Sequence, residues 1–101
     1  MLESYKVIEK ALFDHYGTDA QVLQLCEECG ELIQAASKVV RQHEKGNCVD
    51  NMVEEIADVM VMCRQFLMHF NINDTMIETL MKQKILRQYR RIQEASNGDG
   101  N

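Results

Sequence analysis

The chain reads as all-α, a four-helix bundle, and three observations carry that reading. Its 101 residues include no proline and only five glycines, so little in it breaks a helix. Apolar residues recur at intervals of three and four, and no stretch alternates apolar and polar as a half-buried strand does. Helix start and stop signals divide the chain into four periodic segments.

The first helix is expected over residues 4–16, with Val7, Ile8, Ala11, Leu12 and Tyr16 inward, and it stops at Gly17. Thr18-Asp19-Ala20-Gln21 is a capping-box signature opening a long second helix to about Gln42. Its apolar stripe is Val22, Leu25, Cys26, Cys29, Leu32, Ile33, Ala36, Val39 and Val40. Residues 43–49 form a polar connector containing Gly46. Asp50 or Asn51 then caps a third helix to about Phe70, with Met52, Ile56, Val59, Met60, Cys63, Phe66, Leu67 and Phe70 inward. Asn71-Ile72-Asn73 makes a turn, and Thr75-Met76-Ile77-Glu78 is a second capping box. The fourth helix carries Ile77, Leu80, Met81, Ile85, Tyr89 and Ile92. A single domain over residues 1–95 is therefore expected, followed by a flexible tail, 96–101.

Composition narrows the function. A net charge of −5 argues against binding nucleic acid by charge alone. No apolar run approaches the roughly 18–20 residues that span a bilayer, so no membrane partner is expected. Met1-Leu2-Glu3-Ser4-Tyr5-Lys6 lacks the basic-then-apolar layout of a signal peptide, and the expected location is cytoplasmic. Cys26-x-x-Cys29, with Cys48 and Cys63 apart, lacks the second close pair of a zinc ribbon and the βαβ context of a thioredoxin site. Cys26, Cys29 and Cys63 fall on the apolar stripes and read as core thiols. Gly30, inside a helix, suggests a close helix approach.

The acidic residues carry the chemistry. Cys26-Glu27-Glu28-Cys29-Gly30-Glu31-Leu32-Ile33 is echoed 27 positions later by Val53-Glu54-Glu55-Ile56-Ala57-Asp58-Val59-Met60. Each stretch holds two carboxylates three apart, Glu28/Glu31 and Glu55/Asp58, which share a helix face. Measured from the first acid of each pair, the apolar stripe is centred at about +90° and the second acid lies at about −60°. Both pairs thus run along the same edge of their core face, and antiparallel packing brings the edges together. Four such acids repel unless a cation lies among them. Hard carboxylate oxygens without His or Cys favour Mg²⁺, with Mn²⁺ as a substitute. The bland alternative is a solvated acidic surface, which is how Glu27 and Glu54 read.

Glu28-x-x-Glu31, 23 intervening residues and Glu55-x-x-Asp58 resemble the E-x-x-E…E-x-x-D signature of MazG-like nucleoside triphosphate pyrophosphohydrolases, in the all-α NTP pyrophosphatase superfamily. The resemblance spans roughly residues 18–70. It implies a MazG-type helical fold and Mg²⁺-dependent cleavage of a nucleoside triphosphate to monophosphate and pyrophosphate. It also implies a homodimer or homotetramer. Carried over residue by residue, Glu28, Glu31, Glu55 and Asp58 are the magnesium ligands and catalytic acids. Lys38, two turns beyond Glu31, is the first candidate to hold the β- and γ-phosphates; Lys84 and Arg87, on the fourth helix with Arg91 beside them, follow. Basic residues late in a helix also simply offset its dipole. Two rivals stand against the enzyme. A di-iron bundle needs Glu-x-x-His, and the residues in those places are Glu31 and Asp58. A non-enzymatic helical oligomerisation or interaction module needs none of these acids.

Overall fold

The structure, a computed structural model, describes residues 2–99 and is all-α, with no strand among them. After a 3₁₀ turn at Glu3–Tyr5 come three helices: α1 (Lys6–Arg41), α2 (Cys48–His69) and α3 (Asp74–Asp99). The chain divides into two compact units, one ending at Phe70 and the other beginning at Asn71. No helix among the described residues is long and apolar enough to cross a membrane.

Where sequence reading ends one helix and starts another, α1 continues across the break. Gly17 has φ 85° and ψ 164°, non-helical dihedrals inside an otherwise helical run. A side chain at that φ is strained, so glycine is the residue that lets residues 6–16 and 18–41 meet in one kinked element. Helix α1 runs through the position of the capping box expected at Thr18, and Gln21 turns its amide across the hairpin, Nε2 donating to Gln65 Oε1 at 2.7 Å.

The α1–α2 connector is a Schellman-type ending. The Glu44 N–H donates to the Val39 carbonyl and His43 N–H to the Val40 carbonyl, with His43 left-handed at φ 52°. Glu44 (φ 64°) and Gly46 (φ 68°) complete the reversal. Helix α2 then starts at Cys48, earlier than Asp50 or Asn51; Cys48 is 2% exposed and its Sγ donates to the Lys45 carbonyl. At the far end Asn71 takes the left-handed position (φ 58°). Asn73, rather than Thr75, caps α3, its Oδ1 accepting the Met76 N–H at 2.9 Å. Helix α3 runs on through 96–99, where sequence signals predict a tail, because extending an existing helix adds one hydrogen bond per residue fixed. Gly100 and Asn101 lie outside the described residues. The apolar residues Leu80, Met81, Ile85, Tyr89 and Ile92 of α3 are exposed rather than inward.

In the N-terminal unit α1 and α2 form an antiparallel hairpin with a regular seam. Buried or half-buried positions alternate by four and three: Gln21, Leu25, Glu28, Leu32, Ala35 and Val39 on α1, and Cys48, Met52, Glu55, Val59, Met62 and Phe66 on α2. That is the spacing of two helices wound closely together. It corrects the expected inward faces: Val7 (80% exposed), Ile33 (70%), Val40, Met60 and Phe70 lie outside the seam. Among the cysteines, Cys48 is the buried one, Cys29 is intermediate, and Cys26 and Cys63 are exposed instead of core. Gly30 is not a close-approach site, since a Cβ there meets nothing within 4 Å.

The first helical stretch is locked to α2 by polar and aromatic contacts. Buried Glu9 accepts from Arg64 Nε with both carboxylate oxygens at 2.8 Å, and Arg64 Nη2 donates to the Leu2 carbonyl. Phe13 stacks on His69 (4.1 Å between ring centroids) and meets Phe66 edge-on (5.2 Å).

Arg64→Met is expected to lower unfolding stability by about 2–3 kcal/mol, because Glu9 is left buried without its partner. Urea unfolding checks it, and adding Glu9→Leu should recover most of the loss. Gly30→Ala should raise stability by about 0.5–1 kcal/mol in the same assay, since it improves helix propensity in open space.

Candidate metal centre

The hairpin register assembles the site. The Gln21–Gln65 bond pairs one point on each helix. Seven residues onward along α1 and seven back along α2 lie Glu28 and Asp58; ten onward and ten back lie Glu31 and Glu55. Each helix thus presents its acid pair to the other's, and one carboxylate oxygen from each of Glu28, Glu31, Glu55 and Asp58 lies within 4.8 Å of the rest. Four hard oxygen donors at that spacing can coordinate one divalent cation.

The four acids are not equivalent. Glu31 and Asp58 are exposed, whereas Glu28 and Glu55 are half-buried at seam positions that a heptad pattern assigns to apolar residues. Glu28 Oε1 accepts from Gln24 Nε2 at 2.8 Å. Glu28 Oε2 and Glu55 Oε2 are buried with no hydrogen-bond partner. A buried carboxylate oxygen without a donor is unfavourable unless something positive reaches it. Two such oxygens in one acidic cluster suit a positively charged ligand, so the donor set fits a hard divalent metal.

Electrostatics agrees with the geometry. For Glu28 the Gln24 hydrogen bond favours the charged form, but burial together with the Asp58 and Glu31 charges outweighs it and raises the pKa. Glu55 is raised first by burial, then by the charges of Glu31 and Asp58, with the Glu28 charge adding to it. Burial is the larger raising cause at both, and the repulsion of close carboxylates adds to it.

Of the residues singled out from sequence, the structure brings the four acids together. It places the seam through Glu28 and Glu55, not the edge of the apolar stripe. The signal for this is in the sequence: Glu28 and Glu55 fall in step with Leu25/Leu32 and Met52/Val59 at intervals of three and four. Weighing apolar residues alone hides it, because both helices carry a second apolar flank. Lys38 is exposed on α1, seven residues past Glu31; Lys84 and Arg87 are exposed on α3. Gln24, which orients Glu28, has no sequence signal beyond its place one turn earlier on the helix. Comparison of the chain with protein-family models, curated proteins and solved structures finds no match.

The raised carboxyls set a pH dependence. A group whose pKa is higher folded than unfolded holds its proton more tightly in the native state. The stability this contributes is full below the ordinary glutamate pKa, about 4.3, and is lost as pH rises through the raised values of Glu28 and Glu55. Metal-free protein should therefore show a melting temperature that falls with rising pH across that window. Glu28→Gln/Glu55→Gln should flatten the fall, as read by calorimetry in chelator. Saturating Mg²⁺ or Mn²⁺ should raise the melting temperature of wild type by roughly 5–15 °C near neutral pH, and by less at low pH, where protons compete for the same oxygens.

Proposed function

We propose that this chain is a Mg²⁺-dependent nucleoside triphosphate pyrophosphohydrolase with the MazG-type all-α fold. Four of its helical segments, counting 6–16 and 18–41 separately, would correspond to that architecture. The observation that supports the reading most is the pair of unpartnered buried oxygens, on Glu28 and Glu55, within the four-carboxylate cluster. The order Glu28-x-x-Glu31…Glu55-x-x-Asp58 joins that cluster to the family signature.

The chemistry is attack of water on the α-phosphorus: the bond to the α–β bridging oxygen breaks, pyrophosphate leaves and the nucleoside monophosphate remains. A divalent cation, Mg²⁺ or Mn²⁺, supplies Lewis-acid neutralisation of the phosphate charge when bound. Glu28 and Glu55, half-buried and held by the packing of two helices, fix where that charge is received. Gln24 keeps Glu28 in one orientation through its amide. Glu31 and Asp58 face solvent, so a carboxylate oxygen of this pair that is free of the cation can orient the attacking water and take its proton. Lys38 is assigned to the β- and γ-phosphates, whose charge it matches. Homodimers or homotetramers suit the exposed apolar residues of α1 and α2, among them Leu23, Ile33, Val40, Val53 and Met60. Those same residues are what favours the second reading, an interaction module without catalysis.

Incubation of purified protein with a panel of nucleoside triphosphates and Mg²⁺ should release pyrophosphate and monophosphate; diphosphate with orthophosphate would place the attack at the wrong phosphorus. Glu28→Gln and Asp58→Asn should each lower kcat/KM by about 100-fold or more, the scale of losing one electrostatic contact to the transition state. Lys38→Ala should act mainly on KM. Light scattering should show an oligomer at micromolar concentration. A protein that oligomerises but neither shifts its melting temperature with metal nor hydrolyses any nucleotide is the interaction module.

A further inference from the structure

A cleft opens one helical turn from the carboxylates. Leu12 and Tyr16 from before the Gly17 break, Gln21 and Gln24 from after it, and Met62 and Gln65 from α2 surround about 360 Å³. That volume is within the range of small-ligand sites, and apolar walls with a few placed polar groups are their usual make-up. Tyr16 and Met62 offer a ring and a thioether to a flat ligand. The three amides offer the polar edge.

Those amides are arranged for pairing. Gln21 and Gln65 are 5% and 4% exposed, and their mutual bond uses Gln21 Nε2 and Gln65 Oε1. Gln21 Oε1 and Gln65 Nε2, an acceptor and a donor, make no other side-chain hydrogen bond among the described residues, nor are they sealed-off unpaired atoms like the oxygens of Glu28 and Glu55. The two amides can reverse together and keep their bond, so this part of the edge accepts either polarity. Gln24 cannot reverse. Its Nε2 donates to the Glu28 carboxylate, which only accepts, so Gln24 presents Oε1 as a fixed acceptor.

We propose that this cleft receives the nucleobase of the substrate and favours a base with an exocyclic amino donor beside a ring acceptor. This rests on the nucleotide reading above and names the part of the nucleotide that the carboxylates do not touch. Gln24 and Gln21 lie about 6 and 10 Å from Glu28 along the helix axis, an interval that a ribose and one phosphate bridge. Adenine and cytosine present the amino donor that Gln24 requires; thymine and uracil present a carbonyl oxygen there.

The test is binding of AMP, CMP, UMP and ribose 5-phosphate to the full chain with Mg²⁺, by titration calorimetry. AMP or CMP should bind at least tenfold tighter than UMP and than ribose 5-phosphate. Gln21→Leu/Gln65→Leu removes both partners of the amide bond, and Tyr16→Ala trims the exposed rim without touching the interior. Each should keep the Mg²⁺-induced thermal shift, the double variant because two leucines continue the apolar seam and the Glu9–Arg64 pair still fixes the register, and each should lose the advantage of the monophosphates over ribose 5-phosphate. Equal binding of UMP overturns the amino-donor preference. Ribose 5-phosphate binding as tightly as the monophosphates, or variants that keep the advantage, overturns the cleft. Adenosine and cytidine, followed without metal by ligand-detected NMR, separate the two readings. Binding that survives Asp58→Asn but vanishes in Gln21→Leu/Gln65→Leu upholds the cleft even where no Mg²⁺ shift is found and the pyrophosphohydrolase reading fails; no binding to wild type, with its Mg²⁺ shift intact, overturns the cleft alone.

Discussion

Two glutamates occupy seam positions in a helical hairpin where packing alone asks for leucine. Each leaves one carboxylate oxygen buried and without a donor, and each faces the acids of the opposite helix. Burial and repulsion together push Glu28 and Glu55 toward the protonated form. An apolar pair at those positions would make a simpler and more stable hairpin. Carboxylates there give the hairpin a place that can take a partner of positive charge, with Gln24, Glu31 and Asp58 arranged around it.

A hairpin weakened at its centre must hold its register by other means. Few large apolar side chains are buried within it: Phe13 and Met62 are, with Ala35 and Cys48 as smaller contributors. The remaining fixed points are polar and directional. Gln21–Gln65 is a buried amide pair, and Glu9–Arg64 is a two-point ion pair anchoring the stretch before Gly17. Such contacts add modest net stability, yet they penalise every shifted alignment, because a slip strands buried polar groups. Register is what the four-carboxylate cluster needs most. Displacing α1 against α2 by one helical turn would separate Glu28 and Glu31 from Glu55 and Asp58 by about 5 Å.

The 27-residue echo explains why one cation position can see both helices alike. Equivalent seam residues on α1 and α2 are the same distance apart in sequence along the whole contact, from Gln21/Cys48 to Val39/Phe66. Folding the two copies back on each other produces a local two-fold relation, so Glu28 faces Asp58 while Glu31 faces Glu55. The symmetry stops beyond the acids. At one end the seam continues into the connector; at the other it meets the Gly17 kink, beside which lies the cleft at Gln21 and Gln24. A symmetric charge centre next to an asymmetric cleft suits a ligand with a charged end and a neutral one.

The sequence by itself determined the helical class, the hairpin's two long helices, the break at Gly17 and the four acids, because each depends on local rules: propensity, punctuation and the spacing of residues on one helix. The acid echo was legible for the same reason. Which face of α1 meets α2 was not, since Val22, Ile33 and Val40 are as apolar as Leu25, Leu32 and Val39, and a helix with two apolar flanks does not announce which is inward. Helix ends shifted where another local contact served in place of the expected cap, as Asn73 shows by accepting the Met76 N–H. The unpartnered oxygens of Glu28 and Glu55, the Gln24 tether and the cleft exist only once two helices are held in one register, because burial and orientation are properties of the pair and of neither strand of sequence alone.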